Sequence, residues 1–192
     1  METIRAFVAL ELSEEVKRTL KTLQGKLKPA APAPVKWTDP EGTHLTLAFL
    51  GNIDAGIVSN ISKAIESASR LIKPFRLRVS GLGVFPNPSR VRVVWVGLNG
   101  DLDILGRLQK NIETALEPLG YKPEARAFTP HLTLGRVRDD ARPDERQALA
   151  KIIADTKDNI DITFDIKAVH LFRSQLKPTG AVYSKLATVE LK

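Results

Sequence analysis

The tetrapeptide His-Leu-Thr-Leu occurs twice in this chain, at 44–47 and at 131–134. The chain contains three histidines, and two of them begin this motif. Each copy follows a run of turn-forming residues and continues into a stretch typical of a β-strand. Because side chains alternate between the two faces of a strand, each histidine shares a face with its threonine, and the leucines point the other way. The repeat therefore predicts two equivalent strands, each buried on its leucine face.

The polar faces of the two strands predict a catalytic site. If the strands meet, four polar groups open into one cleft: the imidazoles of His44 and His131 and the hydroxyls of Thr46 and Thr133. Imidazole titrates near neutral pH, so one ring can accept a proton while the other donates one. The hydroxyls can donate hydrogen bonds to phosphoryl oxygens that gain charge in the transition state. This set suits in-line displacement at phosphorus, but the residues alone do not show which histidine is the acid.

The paired motif and its flanking residues resemble those of the two-histidine phosphoesterases, and among them the RNA 2',3'-cyclic phosphodiesterases, formerly called 2'-5' RNA ligases. The similarity runs nearly end to end, through the segments 5–10, 37–51, 85–88, 130–136 and 171–174. It implies an α+β, bilobal fold of the LigT-like type, with two pseudo-symmetric, mostly antiparallel sheets, outer helices and a central cleft. It also implies that His44 is the proton donor and His131 the proton acceptor.

Hydrophobic periodicity predicts strand, helix, strand, helix, two strands, helix, strand, helix and two strands, in that order. The second half of this order roughly repeats the first. We therefore interpret residues 1–192 as a single bilobal domain with an internal duplication, one motif in each half.

Several boundaries follow from local signals. The first helix is predicted to end before Pro29, which leaves 29–34 as an extended, Pro-rich connector. The first motif strand is predicted to turn at 51–52. The closing strands are predicted at 160–172 and 181–191, around a turn at 177–180.

Basic residues are concentrated in one part of the chain. The net charge is +7, and the segment 70–92 has no acidic residue but six basic ones: Arg70, Lys73, Arg76, Arg78, Arg90 and Arg92. Such a segment suits a polyanion such as RNA, although a solvated strand face explains it equally well. The predicted hairpin carries Arg76, Arg78, Arg90 and Arg92, and of these we expect Arg90 and Arg92 to bind substrate.

Two further candidates stand five residues after their histidines. Strict alternation places both Phe49 and Arg136 on the leucine face. Gly135 can host a bulge that redirects Arg136, and the family resemblance implies that this arginine contacts phosphate or base. Nothing comparable precedes Phe49, which either stacks on a nucleobase or packs in the core. His170, with Phe172 where a motif threonine would stand, is interpreted as structural.

Other chemistries find no support in the sequence. The chain has no cysteine, which excludes disulfides, thiolate metal sites and a cysteine nucleophile. The histidines lack metal-ligand spacing, and there is no phosphate loop of the GxxxxGK type, so we predict no metal and no cofactor. No apolar run approaches the roughly 20 residues needed to span a bilayer, and no secretory leader is recognised. We therefore expect a cytoplasmic monomer that does not contact membranes.

The resemblance implies hydrolysis of RNA 2',3'-cyclic phosphate ends to 2'-phosphomonoesters, without metal and with reversible 2'-5' ligation as a related reaction. The partner would be RNA with a cyclic phosphate end, for example a tRNA fragment. One alternative is a module that binds RNA ends without turnover. A second alternative is a phosphodiesterase for a small cyclic phosphate or a 2'-5' oligonucleotide.

Overall fold

The computed structural model describes residues 2–125, 127–157, 160–177 and 180–192. Within these ranges the chain forms nine β-strands and four α-helices. In chain order they are β1 (Thr3–Glu11), α1 (Glu14–Ala30), β2 (Val35–Trp37), β3 (His44–Asp54), α2 (Val58–Ser69), β4 (Phe75–Phe85), β5 (Val93–Gly100), α3 (Leu102–Leu116), β6 (His131–Val137), α4 (Pro143–Asp155), β7 (Ile162–Ile166), β8 (Ala168–Lys177) and β9 (Gly180–Glu190).

The strands form two antiparallel sheets, so the predicted α+β bilobal fold is confirmed. Sheet A has four strands in the order β3-β1-β8-β9, and sheet B has five in the order β2-β6-β5-β4-β7. The first motif lies on β3, an edge strand of sheet A, and the second lies on β6, one strand in from the edge of sheet B. Each sheet combines strands from both halves of the sequence. The two sheets are therefore interwoven, and neither is formed by one half alone.

One hydrophobic core joins the helices to both sheets. The leucine faces of both motif strands are buried in it, as the alternation predicts: Leu45, Leu47, Leu132 and Leu134. Burying a leucine side chain contributes roughly 1.5–3 kcal/mol, so these faces fix which side of each strand points inward. None of the helices in the described ranges is long and apolar enough to cross a membrane.

The first helix begins as predicted but ends later. The Ser13 hydroxyl accepts a hydrogen bond from the Val16 amide at 3.3 Å and caps the helix. The helix then continues through Pro29 to Ala30. A proline in the last turn removes one hydrogen bond, and the carbonyl left free belongs to Gly25, which is exposed to water. The extended connector is therefore shorter than predicted and covers 31–34.

Two strand boundaries also differ from the prediction. β3 continues through 51–52 to Asp54, because Gly51 adopts a positive φ of 68° within an irregular pairing with β1. The predicted strand 160–172 is two strands in different sheets, β7 and β8, which separate at Lys167. A continuous apolar pattern cannot reveal such a crossing. The middle of the turn predicted at 177–180, residues 178–179, lies outside the described residues.

Candidate active site

The two motif strands face each other across a cleft between the sheets. They belong to different sheets and do not pair side by side. Their four polar side chains nevertheless line the same cleft, and each of them is half-buried: His44, Thr46, His131 and Thr133. The cleft therefore brings together the imidazoles and hydroxyls that the repeat predicts.

Each imidazole is held by the backbone two residues before it. The Nδ1 atom of His131 lies 2.7 Å from the carbonyl oxygen of Thr129. The ring of His44 interacts with the backbone of Gly42, which favours its protonated form. A neutral His131 that donates its Nδ1 proton to the carbonyl keeps a lone pair on Nε2. This nitrogen is therefore free to accept a proton.

The surroundings of the two histidines differ. Aromatic rings enclose His44, with centroid distances of 4.3 Å to Phe172, 5.2 Å to Tyr183 and 5.9 Å to Phe7. Burial lowers the pKa of His44, and the hydrogen bond to Gly42 and the charge of Glu11 only partly oppose this. The other imidazole, His131, contacts the ring of Phe85 edge-on at 4.9 Å. Because burial lowers its pKa, the imidazolium of His44 is a stronger acid than an ordinary imidazolium.

The last leucine of each motif forms a β-bulge. Leu47 has no partner of its own, because Thr46 and Ala48 stand opposite consecutive residues of β1. On β6, Leu134 likewise has no partner of its own, because the residues on either side of it stand opposite two consecutive residues of β5. An extra residue reverses the alternation of the side chains that follow it. The two strands therefore change face at the same point of the motif.

These bulges bring Phe49 and Arg136 to the cleft. Phe49 is 65% exposed and its ring lies 6.3 Å from that of Phe7. Arg136 is exposed and stands opposite Val93, and both candidates line the cleft. The bulge predicted beside Gly135 is present. The core alternative for Phe49 is wrong, because a bulge that no residue of the sequence signals also precedes it.

Close packing requires glycine at position 135. A Cβ atom there would lie 2.6 Å from Cγ1 of Val35 and 3.2 Å from the ring of Trp37. Both residues belong to β2, which pairs with β6 at this point. Gly135 thus lets the edge strand approach the second motif directly after its bulge.

Two arginines line the cleft, one that was predicted from the sequence and one that was not. Arg136 and Arg5 line it, whereas Arg90 and Arg92 are exposed on the turn between β4 and β5 and are not among the cleft residues found in the described ranges. Arg5 carries no sequence signal of its own. Its position follows from the pairing of β1 with β3 and β8.

Part of the basic segment is compensated by carboxylates. Arg76 forms an ion pair with Asp165 at 2.9 Å, and Arg78 forms one with Asp161 at 3.5 Å. Both aspartates come from β7 or its approach, far away in sequence. These two arginines thus fit the alternative of a solvated strand face better than an RNA surface.

The third histidine is buried outside the cleft. His170 is 6% exposed, and its Nδ1 atom lies 3.0 Å from the hydroxyl oxygen of Thr188. Within the described part of the chain, no group of three His, Asp or Glu side chains is arranged to hold a metal ion. The position of His170 agrees with its interpretation as structural.

Comparison with known proteins adds the family. The model of the family described as LigT like Phosphoesterase matches residues 10–95 and again 96–183, with one motif in each match. The RNA 2',3'-cyclic phosphodiesterase of Methanothermobacter thermautotrophicus is 34% identical over 189 residues, which cover 98% of this chain and 99% of the relative. The protein of the same name from Aeropyrum pernix is 34% identical over 157 residues, 82% of this chain and 86% of the relative.

Solved structures agree at the level of the fold. A crystal structure of a Thermus thermophilus protein superposes with a TM-score of 0.76 at 28% identity and covers 98% of both chains. Escherichia coli LigT, crystallised with 3'-AMP, gives a TM-score of 0.77 at 24% identity over 100% of this chain and 99% of its own. The family model matches both halves of this chain, and the relatives align with most of its length. This chain therefore belongs to the LigT-like, two-histidine phosphoesterase family.

Proposed function

We propose that this chain is an RNA 2',3'-cyclic phosphodiesterase that works as a monomer without a divalent metal. It would open the cyclic phosphate at an RNA 3' end and leave a 2'-phosphomonoester. The observation that carries the proposal is the single cleft in which both motif histidines meet both motif threonines. The curated relatives that bear the name of this activity support the choice of substrate.

His131 is the proton acceptor in the proposed reaction. Its Nδ1 is held by the Thr129 carbonyl, so its Nε2 takes a proton from water as the water oxygen attacks phosphorus. The bond between phosphorus and the 3' oxygen breaks on the opposite side. The hydroxyls of Thr46 and Thr133 donate hydrogen bonds to the non-bridging oxygens. One P–O bond forms and one breaks, so no further reactant is needed.

His44 is the proton donor for the departing 3' oxygen. Burial among aromatic rings makes its imidazolium a stronger acid, which suits this role. The same burial leaves the free enzyme with less of the protonated form at neutral pH. A bound cyclic phosphate carries a negative charge and restores that form. The two histidines end each turnover with their protonation states exchanged, and solvent resets them.

Phe49 and Arg136 bind the RNA in this proposal. An exposed aromatic ring in the cleft offers a stacking surface to a nucleobase. A guanidinium on the imidazole face can form paired hydrogen bonds with phosphate oxygens. Arg90 and Arg92, on an exposed turn outside the cleft, would contact the RNA backbone further from its end.

The same groups allow 2'-5' ligation. When a 5'-hydroxyl of a second RNA replaces water, its oxygen attacks phosphorus as His131 takes its proton, and the 3' oxygen leaves with the proton from His44. The product is a 2'-5' phosphodiester. Because one P–O bond replaces another, the reaction runs in both directions.

The test is product analysis with a short RNA that ends in a 2',3'-cyclic phosphate, with EDTA present. We expect the wild type to form the 2'-phosphate, and His44→Ala and His131→Ala each to lose at least about 10²-fold in rate. His170→Asn is the matched control, because it replaces the buried third histidine and keeps an amide that can donate to or accept from the Thr188 hydroxyl. It is expected to remain within about threefold of the wild type.

Each other result points to a different correction. A 3'-phosphate product would contradict the choice of leaving oxygen. Activity that EDTA abolishes and a divalent ion restores would contradict the metal-free mechanism. Retained RNA binding without turnover would favour the end-binding module, and turnover confined to cyclic mononucleotides or 2'-5' oligonucleotides would favour the small-substrate enzyme.

A further inference from the structure

Two buried glutamines donate hydrogen bonds to the bulged leucines of the motifs. Nε2 of Gln24 lies 2.9 Å from the carbonyl oxygen of Leu134, and Nε2 of Gln109 lies 3.5 Å from that of Leu47. Gln24 is 2% exposed and Gln109 is 8% exposed. A bulge interrupts the ladder of backbone hydrogen bonds, and a buried carbonyl without a donor is costly. Gln109 supplies such a donor at Leu47, and Gln24 supplies a second donor at Leu134, beside the backbone amide of Thr38.

The same arrangement occurs at both motifs, and each glutamine is far away in sequence from the leucine that it contacts. Gln24 lies on α1 and reaches the second motif, and Gln109 lies on α3 and reaches the first. Few other polar side chains are buried within the described ranges: Lys17, Thr43, Ser69 and His170. Two of this small set thus contact the same carbonyl of the two motifs, so a general packing role does not account for them.

We propose that Gln24 and Gln109 are positioning residues that hold the motif bulges, and thereby keep Arg136 and Phe49 on the imidazole face. Without the extra residue in the strand, strict alternation would turn both side chains toward the core. Gln24 acts on Arg136 through Leu134, and Gln109 acts on Phe49 through Leu47. The inference rests on the proposed function only for its kinetic readout.

The contacts require an amide at both positions. Nε2 of Gln24 also lies 2.7 Å from the carbonyl oxygen of Thr38, so it donates to two carbonyls. The Thr38 amide in turn donates to the Leu134 carbonyl at 2.9 Å. Methionine at position 24 would keep a similar volume and remove both donated hydrogen bonds. Because Gln109 makes one long contact instead of two short ones, its replacement should have the smaller effect.

A double-mutant cycle tests whether Gln24 acts through Arg136. We measure kcat/KM on cyclic-phosphate RNA for Gln24→Met, Arg136→Ala and the double variant. Gln24→Met is expected to lower kcat/KM about tenfold alone and less than about twofold in the Arg136→Ala background. Leu23→Met, a buried neighbour on α1, is the control and should stay within about twofold in both backgrounds. Equal losses in both backgrounds would overturn the inference.

Amide hydrogen exchange provides a readout that does not depend on turnover. Exchange at 134–136 is expected to be at least about tenfold faster in Gln24→Met than in Leu23→Met, because the bulge loses a donor. Unchanged protection there would overturn the inference even if the wild type hydrolysed no RNA, which would itself contradict the proposed function. If Gln24→Met does not fold, the same cycle is run with Gln109→Met and Phe49→Ala, with Leu108→Met as the control.

Discussion

At the scale of single residues, the environment of His44 sets the pH at which the proposed acid can work. Burial lowers its pKa from the ordinary value of 6.5. If His44 donates the proton, kcat/KM falls as the pH rises through this lowered pKa, because the acid form disappears. We therefore expect the alkaline limb of the profile to begin below about pH 6.5. Rates from about pH 4.5 to 9 measure the limb, and an onset above about pH 7.5 would contradict the assignment.

The cause of this shift can be tested at Phe172, whose ring lies closest to His44 among the aromatic rings that enclose it. Phe172→Leu removes part of the enclosing aromatic surface and admits water to the imidazolium. The pKa of His44 then rises, so the alkaline limb should move to higher pH by about half a unit. Phe164→Leu, in the core on β7, is the control and should leave the limb in place. An equal shift in both variants would show that loosened packing, not hydration of His44, moves the limb.

Gly135 makes a separate prediction about stability. Gly135→Ala places a methyl group against Val35 and Trp37, so we expect about 1–3 kcal/mol of destabilisation from overpacking. Gly25→Ala is the matched control, because beyond its chain neighbours and the backbone of α1 no atom lies within 4 Å of the added Cβ. That change should stabilise the protein by about 0.4–1 kcal/mol. Urea unfolding measures both, and a neutral Gly135→Ala would mean that β2 moves away freely.

At the scale of strands and helices, local sequence determines the face of a residue until a bulge intervenes. Alternation placed the motif histidines, threonines and leucines correctly. It failed at Phe49, because the bulge at Leu47 depends on pairing with β1 and on a donor from α3, which lie far away in sequence. Arg136 was predictable because Gly135 can host a bulge before it and because the family resemblance implies an arginine that contacts phosphate or base. The sequence did not predict that β3 continues beyond 50, and the reason is the same. The strand that pairs with β3 decides whether Gly51 turns the chain.

The strands also separate the arginines into two groups with different expected effects on RNA binding. Arg76 on β4 already pairs with Asp165, whereas Arg136 on β6 lines the cleft. We expect Arg136→Ala to raise KM for cyclic-phosphate RNA about tenfold and to weaken its salt dependence. Arg76→Ala should leave KM within about twofold, since an exposed, compensated pair has little net charge to offer. KM measured between about 50 and 200 mM salt tests this, and equal effects would restore the whole basic segment as an RNA surface.

At the scale of the whole molecule, we propose that the two halves descend from one duplicated unit. The family model matches the chain twice, and both motifs share the backbone-held histidine and the bulged leucine. The sequence predicted this repeat because the tetrapeptide is unchanged. It could not predict that each sheet takes strands from both halves, since pairing partners leave no local signal. The two halves therefore contribute equivalent groups to the site, although each sheet contains strands from both halves.

This interweaving predicts a single cooperative unfolding transition. One core spans both lobes, so neither sheet can unfold without exposing apolar surface of the other. Both tryptophans, Trp37 and Trp95, lie in sheet B, so their fluorescence reports on that sheet while far-UV circular dichroism reports on the whole chain. We expect the two urea curves to coincide. Separate midpoints would contradict this prediction and show that the lobes are independent units. The substrate, and not the fold, would then have to hold the two motif strands together.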